Sequence, residues 1–178
     1  MNKTYVTLHS VKGLPVVTRA EGGHAGKVDD VLVRVVDLVA IGYKVRAPGF
    51  WGEVFGVVAE AVERLGRDFV IVRDDAAVEP AGASRGSLDD RVWWSDWQGS
   101  KCIGRRGEDH GKLTDLILER EGGRIRALVL DRGRLVVPSP RSNITADGVI
   151  VDDASAITKI ADAVDSAAWW AAVEVAIG

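Results

Sequence analysis

GEDHGKLTDLILE, residues Gly107–Glu119, restates an upstream phrase, GGHAGKVDDVLVR, residues Gly22–Arg34. In both, a polar turn containing glycine runs into Gly-Lys and then into recurring branched aliphatics. Gly26 matches Gly111, Lys27 matches Lys112, Asp30 matches Asp115 and Leu32 matches Ile117. Short runs of β-branched residues bounded by Gly and Asp are strand and hairpin signals. The chain therefore reads as one β-rich unit stated twice.

The repetition extends outward from these phrases. Upstream, Tyr5–Val17 reads as a strand, one helical turn and a second strand. Ser10 is placed to cap that turn and Gly13 to release it. Trp94–Gly99 has the same grammar, with Asp96 in the place of Ser10 and Gly99 in the place of Gly13. The strands Pro15–Thr18 and Lys101–Ile103 follow, each ahead of its Gly-Lys phrase.

Downstream, Arg124–Leu130 and Arg134–Val137 flank Asp131-Arg132-Gly133 as a hairpin. Val35–Arg46 and Glu53–Val58 fill the same slots in the first half. There the connection is longer, Ala47–Gly52, with Phe50 and Trp51 near its tip. Val58–Val72 then aligns without gaps to Val137–Val151, each a turn or short helix ending in a Val-Ile-Val strand.

The expected fold is all-β: two tandem small β-barrels at 1–80 and 92–152, joined by a linker at 81–91 and followed by an amphipathic helix at 153–178. Units this small have little core of their own, so they are expected to pack together. In the tail, Asp153 or Ser155 could cap the helix. Ile157, Ile160, Ala161, Val164, Ala168, Ala171 and Val175 make an apolar stripe.

Composition narrows the function classes. The 178 residues are 47% hydrophobic and 28% charged, a globular balance, and a net charge of −3 gives no general pull toward nucleic acid. A single cysteine, Cys102, rules out an intrachain disulfide framework and sets a reducing, cytoplasmic expectation. No run approaches the roughly 20 apolar residues of a spanning helix, so the expectation is a soluble chain.

Residues that could carry chemistry are few. A phosphate loop needs glycine four residues before Gly-Lys and Ser or Thr after it. Glu21 and Val28, and Arg106 and Leu113, hold those positions instead. The two pairs are read as hairpin-turn glycines at positive φ. His9, His24 and His110 have no accompanying Cys or His cluster, and are read as exposed turn residues rather than metal ligands. Cys102 takes the aliphatic strand position that Val16 holds in the first half, which suits a buried inert thiol. No catalytic, cofactor-binding or metal-binding residue is assigned.

Two surfaces remain. Alternation in Arg124-Ile125-Arg126-Ala127 puts two arginines on one outward face. With Arg134 they could track RNA phosphates, although neighbouring Asp109, Glu119, Glu121 and Asp131 favour a mixed solvated face. Trp93, Trp94 and Trp97 are expected to seal the seam between the barrels. Trp169, Trp170, Val173 and Ile177 fall opposite the tail's apolar stripe and are the expected partner-contact set.

Leu8–Val17 (LHSVKGLPVV), His24–Val31 (HAGKVDDV) and Ala59–Leu65 (AEAVERL) resemble the PRC-barrel family. Residues 1–80 carry the resemblance most fully and 92–152 less closely. The family includes the cytoplasmic part of the photosynthetic reaction-centre H subunit, and a related barrel ends a ribosome maturation factor. What the resemblance implies is a small non-enzymatic barrel that docks onto something larger. The leading expectation is a non-catalytic adaptor binding a protein assembly or itself. A ribosome- or RNA-associated factor and a peripheral subunit of a membrane energy-converting complex are the alternatives.

Overall fold

The computed structural model describes residues 4–19, 23–49, 53–73, 78–80, 90–152, 156–160 and 166–178. The first half holds β1 (Tyr5–Thr7), α1 (Leu8–Val11), β2 (Pro15–Thr18), β3 (His24–Arg34) and β4 (Val39–Arg46), then β5 (Val54–Val58), β6 (Val62–Leu65), β7 (Val70–Val72) and β8 (Val78–Pro80). The second half repeats that order as β9 (Arg91–Trp93), α2 (Trp94–Trp97), β10 (Lys101–Gly104), β11 (Asp109–Glu119) and β12 (Ile125–Leu130). It continues with β13 (Arg134–Val137), β14 (Asn143–Thr145), β15 (Gly148–Val151) and β16 (Ala156–Lys159), then adds α3 (Ala167–Ile177).

The strands form two curled eight-stranded sheets of matching order. One runs β6-β7-β2-β3-β4-β5-β8 and the other β14-β15-β10-β11-β12-β13-β16. The eighth strand of each comes from the other half. β1 pairs with β11 (Val6 opposite Leu118), and β9 pairs with β3 (Val92 opposite Val33). The halves are therefore interlocked, and a cut at the linker does not separate the sheets.

Curling is written into the long strands. Along β3 the pairing skips Ala25, then Asp29, then Ile41 on the partner strand; along β11 and its partner it skips His110, Thr114 and Arg126. Bulges at equivalent places bend each strand alike and increase its twist. Gly26 (φ +154) and Gly111 (φ +111) sit beside the first bulge. The Gly-Lys pairs thus lie inside strands, not in hairpin turns as expected, while the positive φ is as read.

Both sheets turn one face into a common core. Val31, Val33 and Trp94 share it with Val6, Leu8, Leu116 and Leu118. Fully burying a Leu or Val side chain contributes about 1.5–3 kcal/mol. Two units of this size gain more from one shared core than from two small ones. Trp94 and Trp97 lie edge to face in this core, centroids 6.4 Å apart, and the Trp97 indole donates to the Thr145 carbonyl at 3.0 Å.

The halves are also stitched through their backbones. Ala40 N donates to Gly123 O at 3.0 Å and Ile125 N to Leu38 O at 2.7 Å. Arg120, 9% exposed, donates to the carbonyls of Leu65 and Gly66 at 2.7 and 2.8 Å.

Three expectations are corrected. The segment read as a turn or short helix before each Val-Ile-Val strand does hold a 3-10 turn in the first half, Ala59–Ala61, but it also contains a strand, β6 or β14. The helical turns are not capped by Ser10 and Asp96. Thr7 Oγ1 accepts from Ser10 N, Trp93 precedes α2 without a side-chain cap, and the remaining acceptor is an aspartate of the opposite half. The tail helix does not begin at 153. Residues 156–159 form β16 on the edge of β13, with Ile157 opposite Val136, and the helix runs only over Ala167–Ile177. β-branched Ile157 and Thr158 suit an edge that would otherwise be unpaired. Asp153, Ser155, Ala161 and Val164 of the expected helix, and Phe50 and Trp51 of the first-half loop, lie outside the described residues.

Candidate functional site

The sheets' inner faces meet each other, so the outward faces are where the halves can differ. On the second sheet Ile117, Ala127, Val129 and Leu135 point outward and are buried beneath α3. Ser166 caps that helix by accepting from Trp169 N at 3.1 Å, and Trp169 and Trp170 stand edge to face at 4.8 Å. Trp169 (1% exposed), Trp170 (7%) and Val173 (0%) are thus packed inside the chain, and Ile177 is half-buried. The expectation that this set faces away from the protein is reversed. Val175, placed in the inward stripe, is instead 83% exposed. α3 begins near 167, so the phase carried from Ile157 through a strand puts the wrong face inward.

Register gives each outward residue its counterpart in the first sheet. Leu32 pairs with Gly42 as Ile117 pairs with Ala127. Lys44 stands for Val129 and Gly56 for Leu135. Arg34 and Arg91 pair as Glu119 and Tyr5 do. The 3-10 turn Ala59–Ala61 borders this face through Glu60, and among the described residues no longer helix covers it. It carries a groove of about 240 Å³, floored by Leu32, Gly42 and Gly56 and walled by Trp93, Arg91 and Val58.

The groove has a mixed charged rim, with Arg34, Arg91 and Lys44 set among Asp37, Asp90 and Glu60. Arg34 is held by Asp37 in a two-point hydrogen bond of 2.8 and 2.6 Å, which pulls the Asp37 carboxyl below its ordinary range. The Arg91 Nε lies 3.5 Å from Asp90 Oδ1 and is buried without a hydrogen-bond acceptor. The Lys44 ammonium sits 5.2 Å from the centre of the Trp93 ring. Glu60 is the acid among the lining residues. Trp93 itself is half-buried, so of the three clustered tryptophans it alone leaves the shared core for the groove.

The second half's arginines lie in a mixed face, as favoured, and do not form the basic face weighed as the alternative. Arg126 is the residue skipped at the β12 bulge, so Ile125 and Ala127 fall on different sides of the sheet despite their spacing. Its guanidinium lies 3.6 Å from Glu119. Arg134 pairs opposite Leu130, roughly 13 Å along the strand from Arg126 at about 3.3 Å per residue, and donates to His110 O at 3.1 Å. Exposed Arg124 faces the turn at Asp37 and Leu38.

The remaining candidates are structural in placement. Cys102 is fully buried, and burial with Asp109 nearby pushes its thiol up to about 11. His9 and His24 are exposed in α1 and β3, while His110 is half-buried in β11 rather than in a turn. Among the described residues no group of three or more His, Cys, Asp or Glu is placed to hold a metal. No helix among them is long and apolar enough to cross a membrane.

Sequence reading missed the groove because its glycines look like strand punctuation. The signal was present: Gly42 and Gly56 replace Ala127 and Leu135 once the repeat is aligned strand by strand.

Residues 89–157 match the family model described as the PRC-barrel domain. The match falls on the second half, although the phrases carrying the resemblance most fully lie in 1–80. It spans β9, which folds onto the first sheet, so the family unit and the sheet have different boundaries. No curated protein matches the chain.

Proposed function

Starting from a chain whose second half is a PRC-barrel domain and whose first half repeats the same strand order, we propose a non-catalytic adaptor that works by binding another protein. One observation carries the reading: two sheets of equal order present unequal outward faces. The second is closed by the chain's own helix, and the first has a groove walled by Trp93 and floored by glycines that no such helix covers among the described residues. Aromatic side chains with arginine beside them are the residue types that dominate binding energy at protein interfaces. The buried acids Asp30 and Asp115 serve as caps, and Cys102 is shut in the core, which further supports binding over catalysis. The RNA reading loses its support with the separation and pairing of Arg126 and Arg134.

The test is purification of the tagged full chain from its own cells after mild cross-linking, with protein and nucleic acid measured at each step. The expected result is a protein recovered in fixed, saturable ratio to the chain and rebuilt from purified components. A chain isolated alone, or with RNA in fixed ratio instead, overturns the proposal.

A further inference from the structure

We infer that the chain pairs with a second copy of itself by exchanging halves: β1 to β8 of one copy close against β9 to α3 of the other, and the two remaining halves close in the same way. The inference goes beyond the adaptor reading and does not depend on what the adaptor binds. The interface it needs is already present within the chain. Each sheet takes one strand from the other half, β1 lying on β11 with Val6 opposite Leu118 and β9 on β3 with Val92 opposite Val33. Each helical turn takes a carboxylate acceptor from the other half, α1 from Asp115 and α2 from Asp30.

The backbone contacts between halves come in the same reciprocal pairs. Val35 N donates to Asp90 O at 2.8 Å as Arg120 N donates to Thr4 O at 2.9 Å. Ala40 N donates to Gly123 O at 3.0 Å as Ile125 N donates to Leu38 O at 2.7 Å. Strand register makes Val35 the counterpart of Arg120 and Ala40 that of Ile125, so each of these contacts is made once in each direction. That is the isologous geometry of a two-fold dimer, here written into one chain. With a single cysteine no disulfide joins the halves, and their one covalent link is the stretch 81–89 between Pro80 and Asp90. An interface of this kind is satisfied equally by a half on the same chain or on another.

Joining two parts by a short stretch of chain gives them an effective concentration on the order of 1 mM, so the closed monomer prevails in dilute solution and exchange gains as chains fold near that concentration. The consequence is an adaptor with two heads. α3 and the first-sheet groove both lie on outward faces, clear of the shared core, so an exchanged pair presents two of each. Each groove is then built from two chains, its floor of Leu32, Gly42 and Gly56 from one and its wall of Arg91 and Trp93 from the other. Two tethered sites hold a repeated partner more tightly than one, without any new contact.

Engineered thiols in the full chain test the exchange. Arg34 and Arg91 pair directly across β3 and β9. Opposite residues of an antiparallel pair stand about 4.5–5.5 Å apart at Cα, which a disulfide spans. Every chain carries Cys102→Val, so no third thiol takes part. The double variant, Arg34→Cys with Arg91→Cys, is the control and should close a disulfide within one chain when oxidised dilute. Chains with Arg34→Cys alone and Arg91→Cys alone are then unfolded together in urea, refolded at about 0.01 to about 1 mM and oxidised. The expected product is a disulfide joining one chain of each kind, rising about tenfold or more over that range and exceeding what either variant forms by itself. A control that closes while the mixed chains give no such excess at any concentration overturns the inference. Should that control stay open, Tyr5→Cys with Glu119→Cys reads the other edge in the same way. Failure of both controls refutes the strand exchange on which the inference rests. The adaptor reading is decided separately, by recovery of a partner with the unmodified chain.

Discussion

Asp30 and Asp115 occupy the same place in the two halves, and each caps the helical turn of the other. Asp30, 3% exposed on β3, accepts from Ser95 N at 3.2 Å and Ser95 Oγ at 2.6 Å at the start of α2. Asp115, 8% exposed on β11, accepts from His9 N at 3.0 Å at the start of α1. Each also accepts the amide of the next residue, Val31 at 2.9 Å and Leu116 at 2.8 Å. A carboxylate at a helix N-terminus satisfies amides that otherwise lack partners. Here both acceptors come from across the core, so neither turn is complete within its own half.

Removing either carboxylate should therefore destabilise the whole chain. Asp30→Ala and Asp115→Ala are each expected to cost about 2–4 kcal/mol, since buried charge-assisted bonds are lost and the amides are left unpaired. Asp→Asn should cost less, because one oxygen remains. Urea unfolding followed by tryptophan fluorescence and by circular dichroism measures this. Coincident single transitions are expected for every variant, because the caps and the exchanged strands β1 and β9 make one cooperative unit. Separate transitions for the two halves would contradict the interlocked fold.

The glycines of the repeated phrase separate strain that can relax from strain that cannot. A Cβ at Gly26 would collide with the backbone carbonyl of Arg46, and at Gly111 with the side-chain carboxylate of Asp131. Both have positive φ, so alanine is disfavoured at each. Backbone in a sheet cannot step aside, whereas a half-buried carboxylate can rotate, at the loss of its bond from Lys112 N. Gly26→Ala should cost more than about 3 kcal/mol and Gly111→Ala about 1–2 kcal/mol. Equal losses in thermal or urea melts would refute the distinction.

Much of this arrangement is legible in the repeat, and the failures have physical causes. The matched pairs Gly26/Gly111 and Asp30/Asp115 fix two like sheets, because each residue type answers a backbone need that recurs. The strand exchange is not legible: a three-residue strand such as Tyr5–Thr7 carries no mark of which edge it will join. Ile157–Lys159 went wrong because apolar residues three and four apart fit a helix as well as an edge strand followed by a loop. Extending the alignment past Val72 and Val151 would have set Val78–Pro80 against Ala156–Lys159 and exposed the strand. The arginine face failed at Arg126, where one bulge shifts the alternation that two outward arginines require.

The buried ionisable groups of the core predict a loss of stability at alkaline pH. Burial and Asp109 push the Cys102 thiol up to about 11, and burial pushes the Tyr43 phenol above its ordinary range. An unfolded thiol ionises near pH 8.5, so between about pH 8.5 and 11 the unfolded chain releases a proton that the folded chain keeps. Stability is thus full below that window and falls as pH rises through it, by on the order of 3 kcal/mol for the thiol. Cys102→Val, which installs the first half's residue Val16, should reduce the slope. In the native chain the thiol should resist a disulfide reagent at pH 8 and react on unfolding. Rapid native labelling, or an unchanged slope in the variant, would show that Cys102 is not shut in as described.

The last prediction concerns α3 as a lid rather than a contact surface. Trp169, Trp170 and Val173 cover Ile117, Ala127, Val129 and Leu135, so removing residues 166–178 uncovers a continuous apolar sheet face. Such a face is an aggregation liability, and the loss of two buried tryptophans and a valine is worth several kcal/mol. Truncation should lower the melting temperature, raise binding of an apolar dye and produce concentration-dependent association. Trp169→Ala alone is expected to cost about 3–5 kcal/mol. Ser166→Ala, which removes only the cap on Trp169 N, should cost about 1 kcal/mol. A truncated chain that stays monomeric and equally stable would mean that α3 rests on the second sheet without holding it.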